Sequence, residues 1–394
     1  MKIEILIIVI LLACSCTQKS HKANEKSGDI RKVDVISRPD SIIYNLSDIA
    51  SDIQYIPLQT PSILHFVYIY KVVTSQHNIF INSGDNLFCY DDSGRFLYSL
   101  FKNDKESPGF INDFDISSDQ KTIAVLYFRK IVLFEVSDAK PVYKKSIKLN
   151  KPSPCKISFI PETNNILLSV NPRKGTEKSL TLIINCGGDT LELKKNHPKY
   201  FLPSMPIFES GTIQYKSGNF VFFKEQNNDT IFYVNEKSKI TPSYILDLKG
   251  KTILNWTKGS GEYHYDRMNP YIIIEDIFEV PKFILYTYSH HYPQNEKYTL
   301  YHKIVYNKVT GRKLHVDINK DLKNDLCGGP DFYPLFVSGD TYYSWSYGSD
   351  LKKCIESEVF NKAKVQNPDR KDFLKNLANS LRDRDIVLIV ALPK

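Results

Sequence analysis

The sequence predicts an all-β protein, a six-bladed β-propeller of four-stranded antiparallel blades with one short C-terminal helix. Three observations carry this expectation. Short apolar runs bounded by turn residues fill the chain from residue 41 onward, one strand–turn–strand unit recurs at blade-like spacing, and a strand-forming run near each end can pair to close a ring. Composition agrees, with 25 Tyr and 22 Phe against 3 Met. Aromatic rings suit pleated, half-buried strands.

The repeat is clearest at Leu87-Phe88-Cys89-Tyr90-Asp91, which runs through Asp92-Ser93-Gly94 into Arg95-Phe96-Leu97. Further copies centre on Phe134, Ile184, Tyr233 and Tyr306, each followed by a cluster of Asp, Asn, Ser, Gly or Lys. Successive centres lie 44, 50, 49 and 73 residues apart. The first three intervals fit one four-stranded blade, and the last implies a long insertion. Another strand pair precedes each copy, as at Thr122-Ile123-Ala124-Val125-Leu126. Five blades are visible in this way, and the chain from about Phe332 onward supplies a sixth. A twisted sheet cannot bury both faces alone, whereas sheets packed radially in a closed ring can, leaving only short edges.

Ring closure is expected between Gln54-Tyr55-Ile56-Pro57-Leu58 and Ile386-Val387-Leu388-Ile389-Val390. Just before the second run, Phe373, Leu374, Leu377 and Leu381 fall at helical spacing and predict a helix packed on the ring.

The N-terminus reads as a lipoprotein signal over residues 1–15. Lys2 precedes an apolar run too short for a permanent membrane span, and small residues then lead to cysteine. Cys16 is the preferred lipid attachment point, with Cys14 as the alternative. Residues 16–40 read as a polar, flexible tether, and residues 41–394 as the propeller. Thr17 rather than Asp follows Cys16, which predicts outer-membrane delivery. Residues 17–24 lack acidic side chains, which favours the periplasmic side over the cell surface. The remaining cysteines, Cys89, Cys155, Cys186, Cys327 and Cys354, are odd in number and widely spaced, so free thiols are expected over a disulfide framework, a Cys327–Cys354 pair being the one alternative. The net charge of +8 is scattered rather than clustered and excludes a nucleic-acid footprint.

These landmarks resemble a family of bacterial lipoproteins with six-bladed propellers, related in architecture to NHL-repeat and TolB-like propellers. The resemblance rests on residues 46–58, on the Asn86-Leu87-Phe88 and Gly94-Arg95-Phe96 unit, on Asn228-Asp229-Thr230-Ile231-Phe232, and on residues 377–394. A Gly-rich turn of that family is reduced here to Ser107-Pro108-Gly109-Phe110. The resemblance implies a fold and a compartment, and no catalytic residues.

No GxSxG, HExxH, Walker A or GxGxxG motif is present, and no cofactor is expected. Asp113 and Asp115 flank Phe114 in a strand; solvation at a blade edge explains them better than a calcium site. Propeller topology puts blade-to-blade loops and second-to-third-strand loops on one face. Three long segments fall there, and the expected ligand rim comprises Trp256, Tyr263, His264, Arg267, His290 and Tyr292, with the Asp/Asn/Gly-rich residues 317–331 beside them. The leading expectation is a membrane-tethered binding module for a glycan, a peptide or an envelope protein. The alternative is a propeller hydrolase or lyase with a metal in its central channel.

Overall fold

The computed structural model describes residues 30–394 except positions 38 and 76 and segments 60–67, 102–108, 137–140, 150–153, 172–176, 197–211, 226–227, 252–271, 291–299 and 318–319; at 290 and 300 it describes the backbone alone. The described chain opens with β1 (Arg31–Asp34), β2 (Ser41–Ile43), a 3-10 turn (Leu46–Asp48) and β3 (Ala50–Leu58). Blade 1 follows as β4 (Lys71–Thr74), β5 (Asn78–Asn82), β6 (Leu87–Asp91) and β7 (Phe96–Ser99). Blade 2 is β8 (Asp113–Ile116), β9 (Thr122–Tyr127), β10 (Lys130–Glu135) and β11 (Val142–Lys148). Blade 3 is β12 (Lys156–Phe159), β13 (Ile166–Ser169), β14 (Ser179–Ile184) and β15 (Thr190–Lys195).

Blade 4 comprises β16 (Ile213–Ser217), β17 (Phe220–Lys224), β18 (Thr230–Val234) and β19 (Ile240–Asp247). Blade 5 comprises β20 (Ile272–Glu279), β21 (Phe283–His290), β22 (Leu300–Asn307) and β23 (Lys313–Val316). Blade 6 takes β24 (Phe336–Ser338), β25 (Thr341–Tyr347) and β26 (Ile386–Pro393) from the C-terminal end and β3 from the N-terminal end. The five repeat centres read from the sequence all fall on the third strand of successive blades. The predicted closure holds residue for residue, with Leu58 opposite Ile386 and Gln54 opposite Val390.

The strand pattern explains the ring. Inner and middle strands are apolar on both faces because each face meets a different neighbour. In β9, Ile123, Val125 and Tyr127 pack toward blade 1, while Ala124 and Leu126 pack toward blade 3. Each pair of neighbouring blades shares such a cluster, including blades 6 and 1, where Leu58, Val72, Tyr90 and Leu388 meet.

Two features differ from the sequence reading. The segment expected as tether already contributes structure, since β1 pairs parallel with β19 as a fifth, outermost strand; β2, just inside the expected propeller, does the same on β23. Val33, Val35 and Ile43 are buried there. The run Arg31-Lys32-Val33-Asp34-Val35 is too short to announce a strand without its distant partner. Second, Asp113 and Asp115 are buried rather than solvated. Asp113 accepts from Lys71 Nζ of blade 1 at 2.8 Å and from the Ile157 amide of blade 3 at 2.9 Å. Asp115 accepts from the Phe159 amide at 2.6 Å and from Lys216 Nζ of blade 4 at 2.5 Å. The two carboxylates thereby satisfy edge N–H groups that a propeller's inner strands leave open, and they tie four consecutive blades together.

Three helices, α1 (Gly348–Glu356), α2 (Glu358–Lys362) and α3 (Pro368–Ser380), fill the β25–β26 connection. Asn367 caps α3 by accepting from the Arg370 amide, and Pro368 opens its first turn. Its buried stripe is Leu374, Ala378 and Leu381, whereas Phe373 is exposed, one position off the predicted face. Among the described residues no helix is long and apolar enough to cross a membrane. The signal segment, Cys14 and Cys16 lie outside the described residues. The other five cysteines are free thiols, and burial pushes Cys89 up to about 12 and Cys354 up to about 11.

Gly94 sits at the blade 1 turn with φ +85°, where a Cβ would collide with the Pro57 carbonyl oxygen of β3. Gly94→Ala is expected to cost about 2 kcal/mol or more through strain and displacement of the closing strand, read as a lowered thermal midpoint. An unchanged midpoint would show that the turn does not hold the closure. Asp113→Ala, which takes the acceptor from the Ile157 amide and the counter-charge from Lys71, is expected to cost about 2–4 kcal/mol in denaturant unfolding. A loss below about half a kcal/mol would reduce the pair to a surface contact.

Candidate functional site

The inner strands β4, β8, β12, β16, β20 and β24 surround a central cavity of about 490 Å³. Lys71, Asp115 and Lys216 on its lining are neutralised by ion pairs within the wall. Lys71 also donates to the Phe114 carbonyl at 2.8 Å, and Lys216 to that of Ile116 at 3.3 Å. A β-bulge between Ile274 and Asp276 makes Glu275 the extra residue of β20. Glu275 accepts from Ser289 Oγ at 2.6 Å, while Asp276 stays on the channel wall. Asp276 is exposed to the channel lumen, but the surrounding walls desolvate its carboxyl. That desolvation pushes its carboxyl up to about 6, with Lys156 pulling it down and Glu275 pushing it further up.

The donor set does not fit a divalent cation. A metal-dependent hydrolase or lyase needs carboxylates free to converge, and here Asp113 and Asp115 are held by ammonium groups, with Lys156 close enough to Asp276 for its charge to be felt there. Among the described residues no three His, Cys, Asp or Glu side chains form a metal-holding group.

On the face that carries the blade-to-blade loops, a row of aromatic rings crosses blades 6, 1 and 2. Trp345 meets Tyr347 at 5.0 Å and Tyr68 at 6.1 Å, Tyr68 meets Tyr70 at 5.0 Å, and Tyr70 meets Phe110 at 5.2 Å. Tyr68, Tyr70 and Phe110 are 51%, 48% and 55% exposed, while Ile69 between the tyrosines is buried, as an extended segment requires. Gly84, at φ +106°, lies beneath; a Cβ there would sit 3.1 Å from both the Tyr70 and Phe110 rings. Tyr70 also lines the cavity, so the row begins at the channel mouth.

Of the rim residues predicted from sequence, Trp256, Tyr263, His264, Arg267 and Tyr292 lie outside the described residues. His290 ends β21 with its backbone opposite Ile272 and Leu300; its side chain is likewise outside them. The segment 320–331 is a structural strap rather than a rim. Asp325 accepts from Ser47 N and Oγ at 3.0 and 2.6 Å, and Asn324 donates to Tyr55 Oη at 2.9 Å. Sequence reasoning missed the aromatic row because its rings come from three blades; the signal present was Tyr68, Tyr70 and Phe110 just ahead of the inner strands β4 and β8, while Trp345 and Tyr347 lie within β25.

Asp276 yields a pH dependence. Its folded-state value exceeds the ordinary 3.8, so the folded chain holds the proton more tightly than the unfolded one. Its contribution is therefore greatest below about 4, declines as pH rises to about 6, and is flat above. Glu275, Lys156 and Tyr333 are the ionisable groups that sense it. Asp276→Asn is expected to be more stable than the parent by roughly 1 kcal/mol at pH 7.5, after screening by channel water, and equal to it at pH 4. Thermal midpoints at the two pH values check this; a difference independent of pH would contradict it.

The crystal structure of a protein described as exported, from Bacteroides fragilis NCTC 9343, is similar, with a TM-score of 0.63 over 90% of this chain and 99% of that one at 17% identity. A member of the duf4221 family from Bacteroides vulgatus ATCC 8482 gives a TM-score of 0.51 over 88% of this chain and 97% of that one at 11% identity. At these identities the likeness shows the fold alone. No curated protein is similar to this chain in sequence. The family model described as Domain of unknown function (DUF4934) matches residues 30–385, from just before β1 to the threshold of β26, and the chain belongs to that family.

Proposed function

We propose that this protein is an exported, lipid-tethered binding module of the cell envelope that captures a glycan on its loop-bearing face. The reading rests on one observation, the unbroken row of aromatic rings at the mouth of a polar channel. Sugar rings combine apolar C–H faces with hydroxyl edges. A row of half-exposed Tyr and Phe rings beside a polar opening offers a partner for each. Tyr68, Tyr70 and Phe110 lie about half exposed, where a peptide anchored by aliphatic side chains needs deep pockets. Export is supported by the description of the Bacteroides fragilis relative and by the apolar run ahead of Cys14 and Cys16. Attachment at Cys16 and outer-membrane delivery to the periplasmic side complete the proposal.

Glycan-array binding of the full mature chain, followed by calorimetry on the strongest ligand, tests this reading. Tyr70→Ala and Phe110→Ala are each expected to weaken binding about tenfold with little change in thermal midpoint, since both rings are half exposed. Absence of any glycan binding, with crosslinking to an envelope protein instead, would replace the glycan by a protein partner. Glycan binding indifferent to both substitutions would remove the aromatic row from the site.

A further inference from the structure

Inside the channel, Lys156 on β12 of blade 3 and Asp276 on β20 of blade 5 line the same cavity from either side of blade 4. They are too far apart to form a direct ion pair, yet close enough for the ammonium to act on the carboxylate. Among the described residues in the body of the channel, these are the two charged side chains that engage no hydrogen bond or ion pair. Lys71 and Lys216 are held by Asp113 and Asp115, and Glu275 is turned to Ser289. Asp340, the remaining charged lining residue, sits on the exposed turn between β24 and β25.

Asp276 is exposed to the channel and Lys156 half-buried at its wall, so each charge is open to a group of opposite sign arriving in the cavity. A cation alone would be repelled by Lys156, and an anion alone by Asp276. A ligand carrying both signs a few ångströms apart satisfies both at once and leaves the channel's charge unchanged. The cavity, at about 490 Å³, falls in the range of small-molecule sites. The bulge supplies the geometry, because the extra residue sends Glu275 back to its own blade and leaves Asp276 at the wall.

We propose that the channel is a binding site for a small zwitterion, a free α-amino acid or dipeptide, with its ammonium group on Asp276 and its carboxylate on Lys156. The site lies inside the channel and the aromatic row at its mouth, where Tyr70 borders both; the charge substitutions that test the one and the ring substitutions that test the other fall on different residues, so their failures are distinguishable.

Calorimetry on the full mature chain at pH 7.5, with glycine, L-alanine, L-glutamate and glycylglycine as probes and acetate and methylamine as single-charge controls, tests the proposal. At least one zwitterion is expected to bind about tenfold or more tightly than either control. Asp276→Asn and Lys156→Met should each weaken that binding at least about tenfold while the chain stays folded by circular dichroism. The exchanged pair Asp276→Lys with Lys156→Asp should recover part of the affinity lost in either single exchange. This recovery keeps the test decisive if one single variant folds poorly. No saturable binding by any of the four probes at millimolar concentration, or binding unaltered in folded Asp276→Asn, overturns the proposal.

Discussion

The pairing of β3 with β26 is the constraint on which everything else depends. Residues from opposite ends of the sequence form adjacent strands of blade 6 in an antiparallel ladder, with the side chains of Ile386–Ala391 buried and Ile53, Tyr55 and Leu58 buried opposite them. Without it, the inner face of blade 1 and the outer part of blade 6 would present apolar edges to water, and no central axis would exist to gather polar residues from six different strands. The helices of the β25–β26 connection reinforce the same place. Leu374 and Ala378 share a cluster with Ile49, Ile53 and Tyr55, so the capping helices and the closing strand are one packed unit.

Closure also creates the problem that the axis must solve. Inner strands end the sheets with edge amides that the neighbouring strand of their own blade does not pair, and these line the channel. In this chain two aspartates of β8 accept amides of β12 and are themselves neutralised by lysines from either flank. Buried carboxylates held this firmly are poor metal ligands, and the channel becomes a place of paired charge with one open gap. Specificity for polar ligands is the natural outcome of such a wall, because water or a ligand must supply whatever the protein leaves unmet.

Much of the fold was legible because it repeats. Tyr90, Phe134, Ile184, Tyr233 and Tyr306 share a structural position, and a both-faces-apolar strand followed by a polar turn announces that position whatever surrounds it. The closing strands were legible for the same reason, being long, apolar and terminal. The two short strands at residues 31–34 and 41–43 were not, since their partners lie more than two hundred residues away and their own pattern spans a few side chains. The roles of Asp113 and Asp115 were hidden too. Their spacing puts both on one face of a strand, but only the ring brings lysines of blades 1 and 4 to them. The aromatic row shares this character, assembled from one or two residues at each of three blades, none of which stands out in its own stretch of sequence.

The parallel strands β1 and β2 have a mechanical consequence. Together with β3 they lay the beginning of the described chain along the outer edges of blades 4, 5 and 6 in turn, before blade 1 begins. A load applied at that end runs along β1 and shears its ladder against β19 all at once, instead of peeling one rung at a time. It then meets β2 and the buried 3-10 turn before it can reach β3. Tension applied at this end would thus be met first by these peripheral ladders, ahead of the closing blade and the axis.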